Sequence, residues 1–79
     1  MKENMDYTEI LAIAENNFHP GNEDVINEIK LCIRNGATGG EIGSLVGGYL
    51  KSLKDQKHGA YLVIKADIDI YLSQFIWKN

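Results

Sequence analysis

The sequence predicts an all-α domain, a compact three- or four-helix bundle, and three observations carry that prediction. Between Ile42 and Leu53 the apolar residues Ile42, Leu45, Val46, Tyr49, Leu50 and Leu53 keep the spacing of one face of an amphipathic helix. Two tetrads, Asp6-Tyr7-Thr8-Glu9 and Thr38-Gly39-Gly40-Glu41, have the form of a capping box at a helix start. Turn signals at His19-Pro20-Gly21-Asn22, at Asn35-Gly36 and at His58-Gly59 cut the chain into pieces of helical length.

The first helix is expected over 7–17, with Asp6 as N-cap and Ile10, Leu11, Ala14 and Phe18 as its buried face. The second spans 23–35. Asn22 is its expected N-cap, Glu23 and Asp24 complement the dipole in its first turn, and Val25, Ile26, Ile29, Cys32 and Ile33 form its stripe. Lys30 and Arg34 close it, and Gly36 suits the residue past its end. The third spans 39–55. It carries Gly40, Gly43, Gly47 and Gly48, and each interior glycine costs a helix about 1 kcal/mol relative to alanine. Such a helix recovers that energy by close packing against another surface.

The last segment, 60–77, allows two readings. Ile64 to Ile70 alternates apolar and polar residues as a strand does, whereas Tyr61, Ile64, Ile68, Tyr71, Leu72 and Phe75 share one helical face. A lone strand after three helices would have no sheet partner, so a fourth helix is preferred. A second apolar stripe, Val63, Ala66, Ile70 and Trp77, then lies on its far side, available to the bundle centre or to a partner.

Seventy-nine residues make one domain, 1–79. A chain this short buries only about 60% of its unfolded surface, which leaves little interior for both a core and a deep substrate pocket. The single Cys32 excludes an internal disulfide and suits a reducing compartment. The opening MKENMDYTE lacks a leader-like apolar run, and no apolar stretch nears the roughly 20 residues of a membrane span. A cytoplasmic protein with no membrane contact is expected.

The net charge of −3 conceals an asymmetry: residues 1–28 carry seven acids against one lysine, and residues 29–58 carry five cations against two acids. An acidic front half suits a basic partner. Catalysis is not expected. His19 and His58 stand in separate turns, no H-E-x-x-H or cysteine framework is present, and the glycine run lacks the G-x-x-x-x-G-K-[ST] phosphate loop. His58 suits a helix end, where a cation is favoured. Asp67 and Asp69, two apart, diverge on a helix. Ser44-Leu45 lacks the preceding Asp of a carrier-protein attachment serine, because Gly43 stands there. No metal ligands and no cofactor are implied.

Two binding readings remain, with a ligand-free homodimeric structural protein behind them. In the first, 38–56 is a helix-turn-helix broken at Gly47-Gly48, with 50–57 as recognition helix and Lys51, Lys54 and Lys57 on DNA phosphates. In the second, Gly40, Gly43 and Gly47 line a smooth groove on the third helix that a partner can approach closely. Tyr7, Tyr49, Tyr61, Tyr71 and Trp77 exceed what so small a core can hold, and surface aromatics are typical binding anchors. The candidate partner-binding residues are Glu23, Asp24, Glu28, Gly43, Gly47, Asp67, Ile70 and Trp77.

The segment Ile29 to Leu53, with N-G-A-T-G-G-E-I at Asn35–Ile42, resembles small all-helical bacterial immunity proteins of contact-dependent and polymorphic toxin systems. The resemblance covers about a third of the chain and carries no catalytic motif. It implies a soluble, acidic, cytoplasmic single-domain inhibitor that binds a toxin domain with a basic surface, its carboxylates standing in for nucleic-acid phosphates where the toxin is a nuclease.

Overall fold

Asp6 opens the first helix, α1 (Tyr7–Asn17), of a computed structural model that describes residues 5–18 and 21–75. Its backbone N–H donates to the Glu9 carboxylate at 3.1 Å, and its own carboxylate accepts from the Thr8 hydroxyl at 2.6 Å. The second helix, α2 (Glu23–Asn35), starts differently from expectation. Asn22 holds a left-handed backbone (φ 57°) and makes no side-chain cap. The preceding Gly21 (φ 100°) continues a tight reversal that Asn and Gly tolerate, and the Glu23 carboxylate satisfies its N–H at 2.9 Å.

Gly36 ends α2 with an extended backbone (φ −82°, ψ 146°) rather than the left-handed one expected of a C-terminal glycine. The glycine is needed there for closeness. A Cβ on it would meet the Cγ1 of Ile42 at 2.4 Å and the Ile42 backbone at 3.0 Å. The third helix, α3 (Gly39–Asp55), then starts on Thr38, whose hydroxyl accepts from Glu41 N–H at 3.2 Å. The returning Glu41 carboxylate reaches Ala37 N–H at 2.7 Å, one residue earlier than in a standard capping box. The helix runs unbroken through Gly47 and Gly48.

The expected fourth helix is two: α4 (Gly59–Val63) and α5 (Lys65–Ser73), separated by Ile64 at φ −123°, ψ 40°. No glycine or proline marks this break. It lets Ala60, Tyr61 and Ile64 reach the same core as Ile68, Tyr71 and Leu72. It also brings the Tyr61 hydroxyl to the Asp69 carboxylate at 2.8 Å, where an unbroken helix would separate those positions by about 12 Å along its axis. The strand-like alternation of 64–70 is therefore carried by the break residue Ile64 and the start of α5, which bury Ile64 and Ile68 and leave Ile70 exposed. His58 serves both helices: its N–H donates to the Leu53 carbonyl of α3 at 2.9 Å, and its Nδ1 accepts from Ala60 N–H at the start of α4 at 3.0 Å.

The architecture is an all-α bundle, five helices among the described residues. α3 packs on α2 along one flank and on α4 and α5 along the other, and α1 closes over α2, α3 and α5. The core draws on every helix: Ile10, Ala14, Phe18, Val25, Ile26, Ile29, Val46, Leu50, Leu53, Ala60, Ile64, Ile68, Leu72 and two tyrosines, Tyr61 and Tyr71. It contains no buried polar or charged residue among those described. Met5 is tied to Gln74, whose side-chain amide N–H donates to Met5 C=O at 2.9 Å and whose side-chain carbonyl accepts the Met5 N–H.

Candidate functional site

The α2–α3 seam assembles the acidic residues with exposed apolar side chains. Cys32 Sγ lies 3.8 Å from the carbonyl oxygen of Leu45, and Tyr49 lies within the field of Glu28 and Asp24. The two helices thus run antiparallel with 32 beside 45 and 28 beside 49. Asp24 and Glu28 are exposed, four residues apart on one side of α2, and neither forms an ion pair among the described residues. Burial first, and the neighbouring carboxylates of Glu28 and Asp24 second, push the Tyr49 phenol up to about 12. Burial and Glu28 likewise raise the half-buried Cys32 thiol, which keeps it protonated and unreactive.

Leu31 and Leu45 are each 42% exposed, and Leu31 is the chain neighbour of Cys32, whose Sγ approaches the Leu45 carbonyl. Leu45 was expected on the buried stripe of α3; the stripe turns past the core there and leaves it facing outward beside α2. Leu31 stands off the α2 stripe, and that misplacement of a large apolar residue was the signal in the sequence for this surface. Gly48 is exposed on α3, and a Cβ on it would meet nothing within 4 Å.

The remaining candidate residues are not all on this face. Glu23 shares α2 but turns its carboxylate back to Gly21. Gly43 and Gly47 lie on the opposite flank of α3, towards α5. Gly47 is buried, and the Tyr71 hydroxyl donates to the Gly43 carbonyl at 2.9 Å, so the Gly43–Gly47 part of the expected groove is covered from within the chain, whereas Gly40 is exposed with nothing within 4 Å of an added Cβ. Phe75 lies beside Tyr71 with ring centroids 5.3 Å apart. Asp67 and the 40% exposed Ile70 are on α5, away from the acidic pair. Trp77 lies outside the described residues. Tyr61 and Tyr71 are core residues, so among the described residues the expected surplus of surface aromatics reduces to the half-buried Tyr7 and Tyr49.

Two of the three lysines of the nucleic-acid reading are engaged within the fold. Lys51 pairs with Asp55 at 2.9 Å, and Lys54 pairs with Asp69 at 3.3 Å. Asp69 also accepts from Lys65 and Tyr61, so groups from three helices, α3, α4 and α5, converge on one carboxylate. Lys57 sits past the end of α3 with a left-handed backbone (φ 54°). Since α3 does not break at Gly47-Gly48, no separate recognition helix exists over 50–57. Among the described residues no group of three or more His, Cys, Asp or Glu side chains could hold a metal ion, and no helix is long and apolar enough to cross a membrane.

Compared with known proteins, the chain matches no family model, no curated protein and no solved structure.

Proposed function

We propose that this chain is a non-enzymatic protein-binding module, an immunity-type protein that neutralises a toxin domain by docking on its basic surface. The observation that carries this reading is Glu28. It is exposed, lies four residues after Asp24, and has no ion-pair partner among the described residues. Asp24 is explained by its place in the first turn of α2, where the helix dipole favours an anion. Glu28 has no such role. Like charges at this spacing cost an isolated helix about 0.2–0.5 kcal/mol, a cost that a partner's cation would relieve.

The experiment is affinity capture of the tagged protein from nuclease-treated lysate, with mass spectrometry of what survives a moderate-salt wash. A single stoichiometric protein with a basic surface is expected. Its association should slow when Asp24 and Glu28 are both changed to Lys, because rim charges act mainly on the on-rate. Capture of nucleic acid alone, and only when the nuclease is omitted, would overturn the reading.

A further inference from the structure

The leucines beside the acidic pair state what else the partner must carry. We infer that the α2–α3 face is a docking surface with Leu31, Leu45 and Tyr49 at its centre. Its occupant is a cationic amphipathic protein segment that sets a lysine or arginine against Asp24 and Glu28 and an apolar side chain against the leucines. This rests on the protein-binding reading above and gives that reading a surface and a partner chemistry.

Leu31 and Leu45 belong neither to the core nor to the side chains packed against it, so the fold does not account for them. They stand within one helical turn of Glu28 and Tyr49 respectively, which puts apolar and anionic surface side by side. The exposed Gly48 adds no side chain to α3 one turn after Leu45. Charge complementarity chooses the occupant: the unpaired charges beside Tyr49 are both negative. One turn beyond Leu31 the sign reverses at Arg34, exposed and in no ion pair among the described residues. The occupant's cation therefore lies towards the start of α2 and its apolar residue towards the end. Solvated rim charges give speed and register, and the desolvated apolar centre gives lifetime. The other exposed apolar group, Leu62 (61%), Val63 (54%) and Ile70, is divided by the break at Ile64 and has beside it the paired Lys65 and Asp69 and one further carboxylate, Asp67, rather than an adjacent pair of acids outside any ion pair.

The test is amide NMR titration of the full chain with a short helical peptide having one leucine face and one lysine face, beside a leucine–glutamate counterpart. Saturable shifts over 24–35 and 41–52 are expected with the lysine peptide alone. Leu45→Gln should weaken binding by about tenfold, and the pair Asp24→Asn with Glu28→Gln should remove its salt dependence. Both changes are at exposed positions, and unchanged far-ultraviolet dichroism would show that the fold persists. Shifts centred on Leu62, Val63 and Ile70, equal binding of the glutamate peptide, or wild-type affinity in Leu45→Gln would overturn the inference. Lysate capture with the same variant separates the two levels. A partner held equally by wild type and Leu45→Gln sinks this surface and leaves the protein-binding reading standing; no protein partner for the wild type sinks the reading itself.

Discussion

Alanine at Gly48 and alanine at Gly36 are expected to move stability in opposite directions. Gly48 lies inside α3 on an open face, where an added Cβ meets nothing within 4 Å. The substitution should therefore return the helix-propensity difference alone, about 0.8–1.0 kcal/mol of added stability. For a domain of this size that is a rise of about 4–8 °C in Tm. Gly36 has a backbone that any residue can adopt, so alanine carries no conformational penalty there. Its Cβ would instead fall 2.4 Å from Ile42 Cγ1 and 3.0 Å from the Ile42 Cα and N. The side chain can rotate away. The backbone cannot, because Ile42 N–H is bonded to Thr38 C=O at 2.8 Å in the first turn of α3. The cost is that of overpacking, about 1–3 kcal/mol. Urea denaturation followed by circular dichroism measures both, provided the m value is unchanged. A neutral Gly36→Ala would show that α2 and α3 do not meet as closely as described. A destabilising Gly48→Ala would refute the continuous α3 and restore a break at that glycine.

Three further outcomes are expected. Glu28→Gln should stabilise the domain by about 0.2–0.5 kcal/mol and bring the Tyr49 phenol down from about 12, read by ultraviolet titration; an unmoved tyrosine would show that Glu28 does not face it. The phenols of Tyr49 and Tyr71 are both raised to about 12 in the folded chain, chiefly by burial, from an unfolded value near 10.0. Their contribution to stability is thus complete below pH 10 and lost as pH rises towards 12, and replacing both with Phe should flatten that alkaline loss. For Asp69, burial alone would raise the carboxyl, but hydrogen bonds from Tyr61, Lys54 and Lys65 outweigh it and hold the group below its usual range. Stability from this group is present above pH 3.8 and falls away as pH drops through the lowered folded value, so Asp69→Asn should show a shallower acid limb in pH-dependent melting.

Much of the fold was legible before the tertiary structure. The bounds of α1, α2 and α3 follow from Asp6, Thr38, the turn residues and apolar spacing, all of which act within a few residues of chain. The three-to-four-helix count erred at Ile64, where no local breaker exists. Burial of Tyr61 on one side and Tyr71 on the other, together with the reach from Tyr61 to Asp69, decided the break. The candidate face was half legible. Asp24 and Glu28 stand out by charge, but periodicity placed Leu45 inside, because a helical stripe does not say where a neighbouring helix stops covering it.

The glycines draw the line between the two sources. Their number in α3 follows from the sequence, and so does the need for tertiary contact to offset their helix cost. Which surface supplied that contact was decided only when α5 laid Tyr71 over Gly43, and which glycines stayed bare, Gly39 and Gly40 in the first turn and Gly48 in the interior, was decided only by the surroundings of each. Local capping and spacing are encoded within a turn or two of the chain. Occupancy of a groove depends on residues 28 positions apart, as Gly43 and Tyr71 are, and it is settled by packing alone.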